Sequence, residues 1–321
     1  MYAGTATASV AAAALLGAGT LLMAGPTTDG PRTAAATAGR PAVAAHALAA
    51  PGARTVSDVT GGGTGNPLVI AHRGASAYAP ENTLAAVDKA ADLGFDWVEN
   101  DVQLTRDGVP VVIHDTGLRR TTNAEEVFPD RAPWAVKDFT AAEIARLDAG
   151  SWFGPEYEGV RVPTLRQYLH RIGRNHQNLL LEIKSPEVYP GIEQATLRLL
   201  RQEGWLDRGH VRGRLVIQSF GADSVRTVHE LRPDVITGFL GTPAVDDLPA
   251  YAQFTDQINP AHTSLSSEYV ATVHALKGPH DKPLRVSTWT VNDAAHALRV
   301  AAYGVDGIIT NAPDVVREAT G

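Results

Sequence analysis

No cysteine occurs in the 321 residues. Its absence excludes a disulfide framework, a thiolate zinc site, a cysteine nucleophile and a lipidated cysteine. Basic residues are outnumbered as well, 28 Lys+Arg against 35 Asp+Glu, for a net charge of −7. A protein that must neutralise nucleic-acid phosphates would show the opposite balance, so no nucleic-acid partner is expected. No apolar run reaches the roughly 20 residues of a membrane-spanning helix. What the chain does have is 44% hydrophobic residues, enough for a sizeable core, and 11 histidines. Its chemistry must therefore use oxygen and imidazole groups.

The amino-terminal 66 residues differ from the rest. They are mostly Ala, Gly, Thr and Pro, with no aromatic after Tyr2, and such a composition cannot offset the entropy of ordering. Residues 10–24 (VAAAALLGAGTLLMA) have the length of a signal-peptide apolar segment, and Ala47-Leu48-Ala49 resembles a small-residue cleavage site. No Lys or Arg precedes the run, which is atypical. The expectation is a flexible leader over residues 1–66, export of the protein to the cell exterior, and no membrane span in the mature chain.

From residue 67 to the end, β-rich runs alternate with helical periodicity. The runs are 68–71, 97–101, 179–183, 215–219, 235–240, 257–259, 285–290 and 307–310, and stretches such as 82–93, 192–201, 223–231, 268–276 and 294–302 repeat apolar residues at helical spacing. Eight strand-helix units over about 255 residues predict an α/β fold, a closed (β/α)8 TIM barrel. An open doubly wound sheet is disfavoured because no Gly-x-Gly-x-x-Gly opens the first strand-helix turn. Only Thr105-Arg106-Asp107-Gly108 separates the second strand from the run 109–113, too short for a parallel crossover, so residues 102–114 read as a hairpin returning His114 towards Glu99 and Asp101. The long interval 116–177 reads as an insertion at the carboxyl-terminal mouth of the barrel, where active sites lie.

Polar residues at strand ends then stand out. Glu99 and Asp101 are two apart on one strand and share its interior face. Glu182, at the end of another strand, adds a third carboxylate. A lone acidic pair would read as ordinary strand-end acids paired with Arg or Lys, whereas three carboxylates at strand ends, without cysteine, favour a hard divalent cation, calcium or magnesium. His72 and His114 share the mouth and can act as a general acid and base pair. Lys184, two residues beyond Glu182, can neutralise a phosphate oxygen, and Arg73 can fork onto two. His46, His170, His176, His210, His229, His274, His280 and His296 read as surface or structural residues; His262, which follows a strand end, is left open.

The ordered series His72-Arg73-Gly74, Pro80-Glu81-Asn82-Thr83, Glu99-x-Asp101-Val102, Asp107-Gly108 and His114-Asp115 resembles the glycerophosphodiester phosphodiesterase family. Leu181-Glu182-Ile183-Lys184, Gln218-Ser219-Phe220, Trp289-Thr290-Val291-Asn292 and 306–310 extend the resemblance to about residue 315. It implies a TIM barrel hydrolysing glycerophosphodiesters to sn-glycerol 3-phosphate and an alcohol. By position, Glu99, Asp101 and Glu182 match metal carboxylates for one divalent cation, calcium in preference to magnesium. His72 and His114 match the acid-base pair, Arg73 and Lys184 the phosphate contacts, and Trp289 an aromatic lining the mouth, though plain barrel core explains Trp289 equally. Headgroup selectivity is expected in 116–177. The family often has Asp where Asn311 and Gly221 stand, departures expected to touch neither the metal nor the acid-base residues. Sphingomyelinase-D-like phospholipases share the barrel, an exported member could take teichoic acid as substrate, and a non-catalytic glycerophosphate-binding surface protein is the reading from another class.

Overall fold

The computed structural model describes residues 65–321. The expected leader, including the run 10–24 and Ala47-Leu48-Ala49, lies outside the described residues save for Gly65 and Asn66. Nine strands form the described sheet: β1 (Leu68–Ala71), β2 (Trp97–Leu104), β3 (Pro110–Val112), β4 (Asn178–Ile183), β5 (Leu215–Ser219), β6 (Ile236–Leu240), β7 (Gln257–Asn259), β8 (Arg285–Thr288) and β9 (Gly307–Thr310). All pair in parallel except β3, and the β1–β2 pairing closes eight of them into a barrel. The TIM barrel is thus the fold.

The hairpin is present as well. β3 runs antiparallel to β2, with Val102 opposite Val112 and Leu104 opposite Pro110, and the Ile113 amide donates to the Asp101 carbonyl at 2.9 Å. That bond sets His114 at the level of Asp101.

The strand period decides which side chains enter the barrel. Ile70, Trp97, Leu180, Val216 and Ile309 pack together as one apolar cluster, the barrel floor, while Ala71, Val98, Leu179, Leu181 and Ile217 belong to the layer beneath the helices. Residues two positions beyond each floor residue also point inward but sit nearer the carboxyl-terminal mouth. Those residues are His72, Glu99, Glu182, Gln218 and Asn311, and one further step along their strands adds Asp101 and Lys184. A floor of buried apolar side chains, each worth about 1.5–3 kcal/mol, thereby fixes the height and direction of the strand-borne site residues.

Several expected boundaries shift. β8 stops at Thr288, leaving Trp289 and Thr290 beyond the strand, and β6 begins at Ile236. The first helix begins at Leu84 with Thr83 as its cap, not at Asn82. Asn82 instead takes a left-handed conformation, φ 59°. Within the interval 116–177, Leu165–Arg174 is an ordinary barrel helix, opened by the Thr164 and Gln167 capping box and packed into the main core through Leu165, Tyr168, Leu169 and Ile172. The extra structure is therefore 116–164. It carries a core of its own, built from Leu118, Phe139, Ile144, Leu147 and Val162 against Val111 and Ile113 of the hairpin. Among the described residues no helix is long and apolar enough to cross a membrane.

Candidate active site

Glu99, Asp101 and Glu182 meet at the mouth as expected. One carboxylate oxygen from each lies within 4.8 Å of the others, and all three residues are buried. Mutual repulsion and burial act on the set. Burial, then the charges of Asp101 and Glu182, push the Glu99 carboxyl well above its usual range. Glu182 is pushed up to about 8, chiefly by burial and then by Asp101. Asp101 is the exception: although burial opposes ionisation, Arg73 and Lys184 hold its carboxyl down at about 2. Arg73 Nε lies 3.2 Å from Asp101 Oδ2, and Lys184 Nζ lies 3.7 Å from Asp101 Oδ1 and 2.8 Å from Glu182 Oε1.

Even so, Asp101 Oδ1 and Glu182 Oε1 are buried without an aligned hydrogen-bond donor. Buried acceptors are normally satisfied. Two orphaned oxygens on converging carboxylates, with no soft donor nearby, fit a hard divalent cation.

The β1 loop that reaches this set is tightly folded. Arg73 is itself left-handed, φ 57°, a conformation that costs a non-glycine residue about 1–2 kcal/mol. Gly74 follows at φ 79°, and a Cβ there would come within 2.6 Å of the Ala86 backbone, so the loop needs glycine to lie against the first helix. The folded loop aims two donors at the acids. The Arg73 amide donates to Glu99 Oε2 at 2.9 Å, and the Asn82 side-chain amide donates to Asp101 Oδ2 at 2.8 Å.

The two histidines flank the acids with unlike partners. His72 Nε2 is 4.0 Å from Glu99 Oε2, and its Nδ1 is 2.6 Å from Asn311 Oδ1, which also accepts from Ser76 Oγ at 3.0 Å. An amide oxygen only accepts, so Nδ1 carries the proton and Nε2 is left with its lone pair. Burial, aided by Arg73, lowers the His72 pKa to about 4. His114 Nδ1 meets Asp115 Oδ1 at 2.7 Å. Burial lowers its pKa too, opposed by Asp101 and Asp115. The expectation that Asn311 would touch no acid-base residue is therefore corrected: the β9 strand end delivers it directly to His72. Gly221 lies apart, against Pro186.

Lys184 also lies 5.3 Å from the centroid of the half-exposed Phe220 ring, which meets Trp289 edge-on. Trp289 donates its indole proton to the Asn259 carbonyl at 2.8 Å. It lines the mouth and contacts the floor at once. His262 packs on His296 away from the acids, and His170, His210, His274 and His280 pair with carboxylates elsewhere.

The sequence profile of the Glycerophosphoryl diester phosphodiesterase family matches residues 72–315. The chain belongs to this glycerophosphodiester phosphodiesterase family. It is 36% identical over 265 residues to the glycerophosphodiester phosphodiesterase of Bacillus subtilis (strain 168), covering 77% of this chain and 84% of that one. It is 37% identical over 257 residues to that of Caldanaerobacter subterraneus, covering 78% and 96%. The structure of an Oleispira antarctica phosphodiesterase in complex with the product sn-glycerol-3-phosphate superposes with a TM-score of 0.68 at 30% identity, covering 79% of this chain and 96% of that one.

In this glycerophosphodiester phosphodiesterase, residues to which motif spacing assigned no role also reach the site: Asn82, Asn311 and Asp115, with Glu81 accepting from Arg73 Nη1 at 2.8 Å and Arg120 donating to Asp115 Oδ2 at 2.6 Å. Glu81, Asn82 and Asp115 stand inside the motifs quoted above, which was the available signal. Asn311 showed only as a departure from the family's usual Asp, with no contact implied, and Arg120 gave no signal, because its partner Glu81 lies on another loop.

Proposed function

We propose that this protein hydrolyses glycerophosphodiesters to sn-glycerol 3-phosphate and an alcohol, with Glu99, Asp101 and Glu182 holding one divalent cation, calcium in preference to magnesium. The observation that carries this reading is the convergence of three buried carboxylates, two of them with orphaned oxygens, between two histidines and two fixed cations. A bound cation supplies Lewis-acid charge against the phosphoryl oxygens.

The remaining chemistry belongs to the side chains. Arg73 and Lys184 bind the phosphodiester and offset charge developing on phosphorus. His72 Nε2, unprotonated, accepts the proton of the attacking hydroxyl, either the glycerol oxygen vicinal to the phosphate or a water. His114, held at Nδ1 by Asp115, gives a proton to the leaving alcohol. With glycerol as nucleophile the product is a cyclic phosphate. Water then opens it, giving its proton to His114 while His72 returns one to the glycerol oxygen. Proton count and charge balance over the two steps.

A coupled assay for glycerol 3-phosphate released from glycerophosphocholine, with calcium and with EDTA, tests the reading. Calcium-dependent release is expected. Binding without turnover would overturn it in favour of a non-catalytic glycerophosphate-binding protein. Export, proposed on the leader's composition, is checked by fractionating cells and sequencing the amino terminus of the extracellular protein.

A further inference from the structure

One guanidinium joins both flanks of the site. Arg120 Nε donates to Asp115 Oδ2 at 2.6 Å and Nη2 to Asp115 Oδ1 at 3.0 Å, while Nη1 and Nη2 donate to Glu81 Oε2 and Oε1 at 2.9 and 2.7 Å. Each carboxylate has a second partner in the site. Asp115 Oδ1 meets His114 Nδ1 at 2.7 Å, and Glu81 Oε1 accepts from Arg73 Nη1 at 2.8 Å. A continuous chain results, His114–Asp115–Arg120–Glu81–Arg73–Asp101, which starts at one histidine and ends on a metal carboxylate.

The backbone that carries Arg120 is fixed from both sides, since Leu118, Thr121 and Thr122 are buried. Leu118 belongs to the separate core of the 116–164 segment. The root of that segment, in which the family resemblance implies headgroup selectivity, thus reaches into the reaction centre. We infer that Arg120 is a positioning residue for both sides of the reaction, holding Asp115 against His114 and Glu81 against Arg73. Its two-sided fork is geometry that a lysine cannot reproduce. Without it, Asp115 is free to turn away from His114. Glu81 then has Arg73 as its remaining partner and competes with Asp101 for it.

The inference rests on the proposed hydrolysis for its kinetic arm and on geometry alone for its spectroscopic arm. In Arg120→Ala, kcat should fall about 10- to 100-fold, the size typical of lost orienting partners, with a smaller change in KM and with calcium binding and thermal unfolding near wild type. Guanidinium ion at millimolar concentration should restore part of the rate, because the side chain is 44% exposed and its cavity opens to solvent. Arg120→Lys, the variant to use if the alanine form folds poorly, should fall between the two. Arg119→Ala is the control: Arg119 pairs with Glu125 at 2.7 Å, is 70% exposed and should leave the rate unchanged. In nitrogen-15 NMR spectra the His114 Nδ1 proton should shift in Arg120→Ala while that of His72 stays. An unaltered kcat, or an unaltered His114 resonance, would overturn the inference. If wild type releases no glycerol 3-phosphate, the functional reading falls and the His114 resonance still decides the role of Arg120.

Discussion

Two halves of one line of strand register inside the barrel are built with opposite chemistry. The strand register runs Asp101, Glu182, Gln218, Gly238, Gln257 from neighbour to neighbour. On the first half the acids crowd together, and Asp101 Oδ1 and Glu182 Oε1 lack an aligned hydrogen-bond donor although the Lys184 ammonium lies beside them. On the second half an amide network completes itself: Asn259 Nδ2 donates to Gln218 Oε1 at 2.9 Å, and its Oδ1 accepts from the Ser287 amide at 3.1 Å. Gly238 makes the room, because a Cβ there would lie 2.9 Å from Asn259 Nδ2. A neutral network supplies its own partners. The acidic half needs a charge that the chain does not fully provide, and unsatisfied buried groups of that kind mark where function departs from stability.

The largest effect should come from the histidines, which belong to the acidic half alone. His72→Ala or His114→Ala should lower kcat about 10²- to 10⁴-fold with calcium binding and folding near normal, measured by glycerol 3-phosphate release, calorimetry and thermal unfolding. Substantial hydrolysis by both variants would remove them from the acid-base roles.

A smaller effect is the pH dependence of the cation site. Without a cation the Glu182 pKa of about 8 lies above the ordinary 4.5. A carboxyl raised on folding binds more protons folded than unfolded, so its contribution to stability is fully present below about pH 4.5 and is lost as pH rises through about 8. Cation binding must expel those protons, and each one displaced tightens binding up to about tenfold per pH unit. His72 and His114, both lowered on folding, work the other way below their ordinary 6.5, so it is between pH 6.5 and 8 that thermal unfolding should show the calcium-free protein losing stability as pH rises and the calcium-induced gain growing. A gain that shrinks with pH would contradict the assignment.

The smallest effect on function, and the sharpest contrast, should come from Asn259→Ala. It strands the Gln218 oxygen and the Ser287 amide, at a cost of about 1–3 kcal/mol for each buried group. Denaturant unfolding should register that loss while calcium affinity stays unchanged. A large drop in affinity would show that the two halves are coupled rather than separate.

How much of this was legible follows the same physical divide. Strand period and the Asp-Gly turn were enough for the barrel and the hairpin, because both are written in local pattern, and the carboxylate set followed from placing strand ends at one mouth although Glu182 is distant in sequence from Glu99 and Asp101. The folded loop at Arg73 and Asn82 was hidden, since the cap-like run Glu81-Asn82-Thr83 reads as a helix start and its left-handed turn is imposed by Asp101, nineteen residues away. Asn311 meets His72 across 239 residues, and no periodicity encodes such a pairing. Arg120 lies in a segment whose length and place at the mouth are legible but whose individual contacts are not. The 116–177 boundary was too wide because a barrel helix and the segment before it run together without a break in composition.

The most direct test of the central claim is calorimetric titration of calcium into the metal-stripped protein at neutral pH, in two buffers of different ionisation enthalpy, for wild type and Asp101→Asn. One bound cation with net proton release, and binding at least about tenfold weaker in the variant, a loss of about 1.4 kcal/mol or more, is the predicted result. No binding by wild type, or binding that Asp101→Asn leaves untouched, would contradict it.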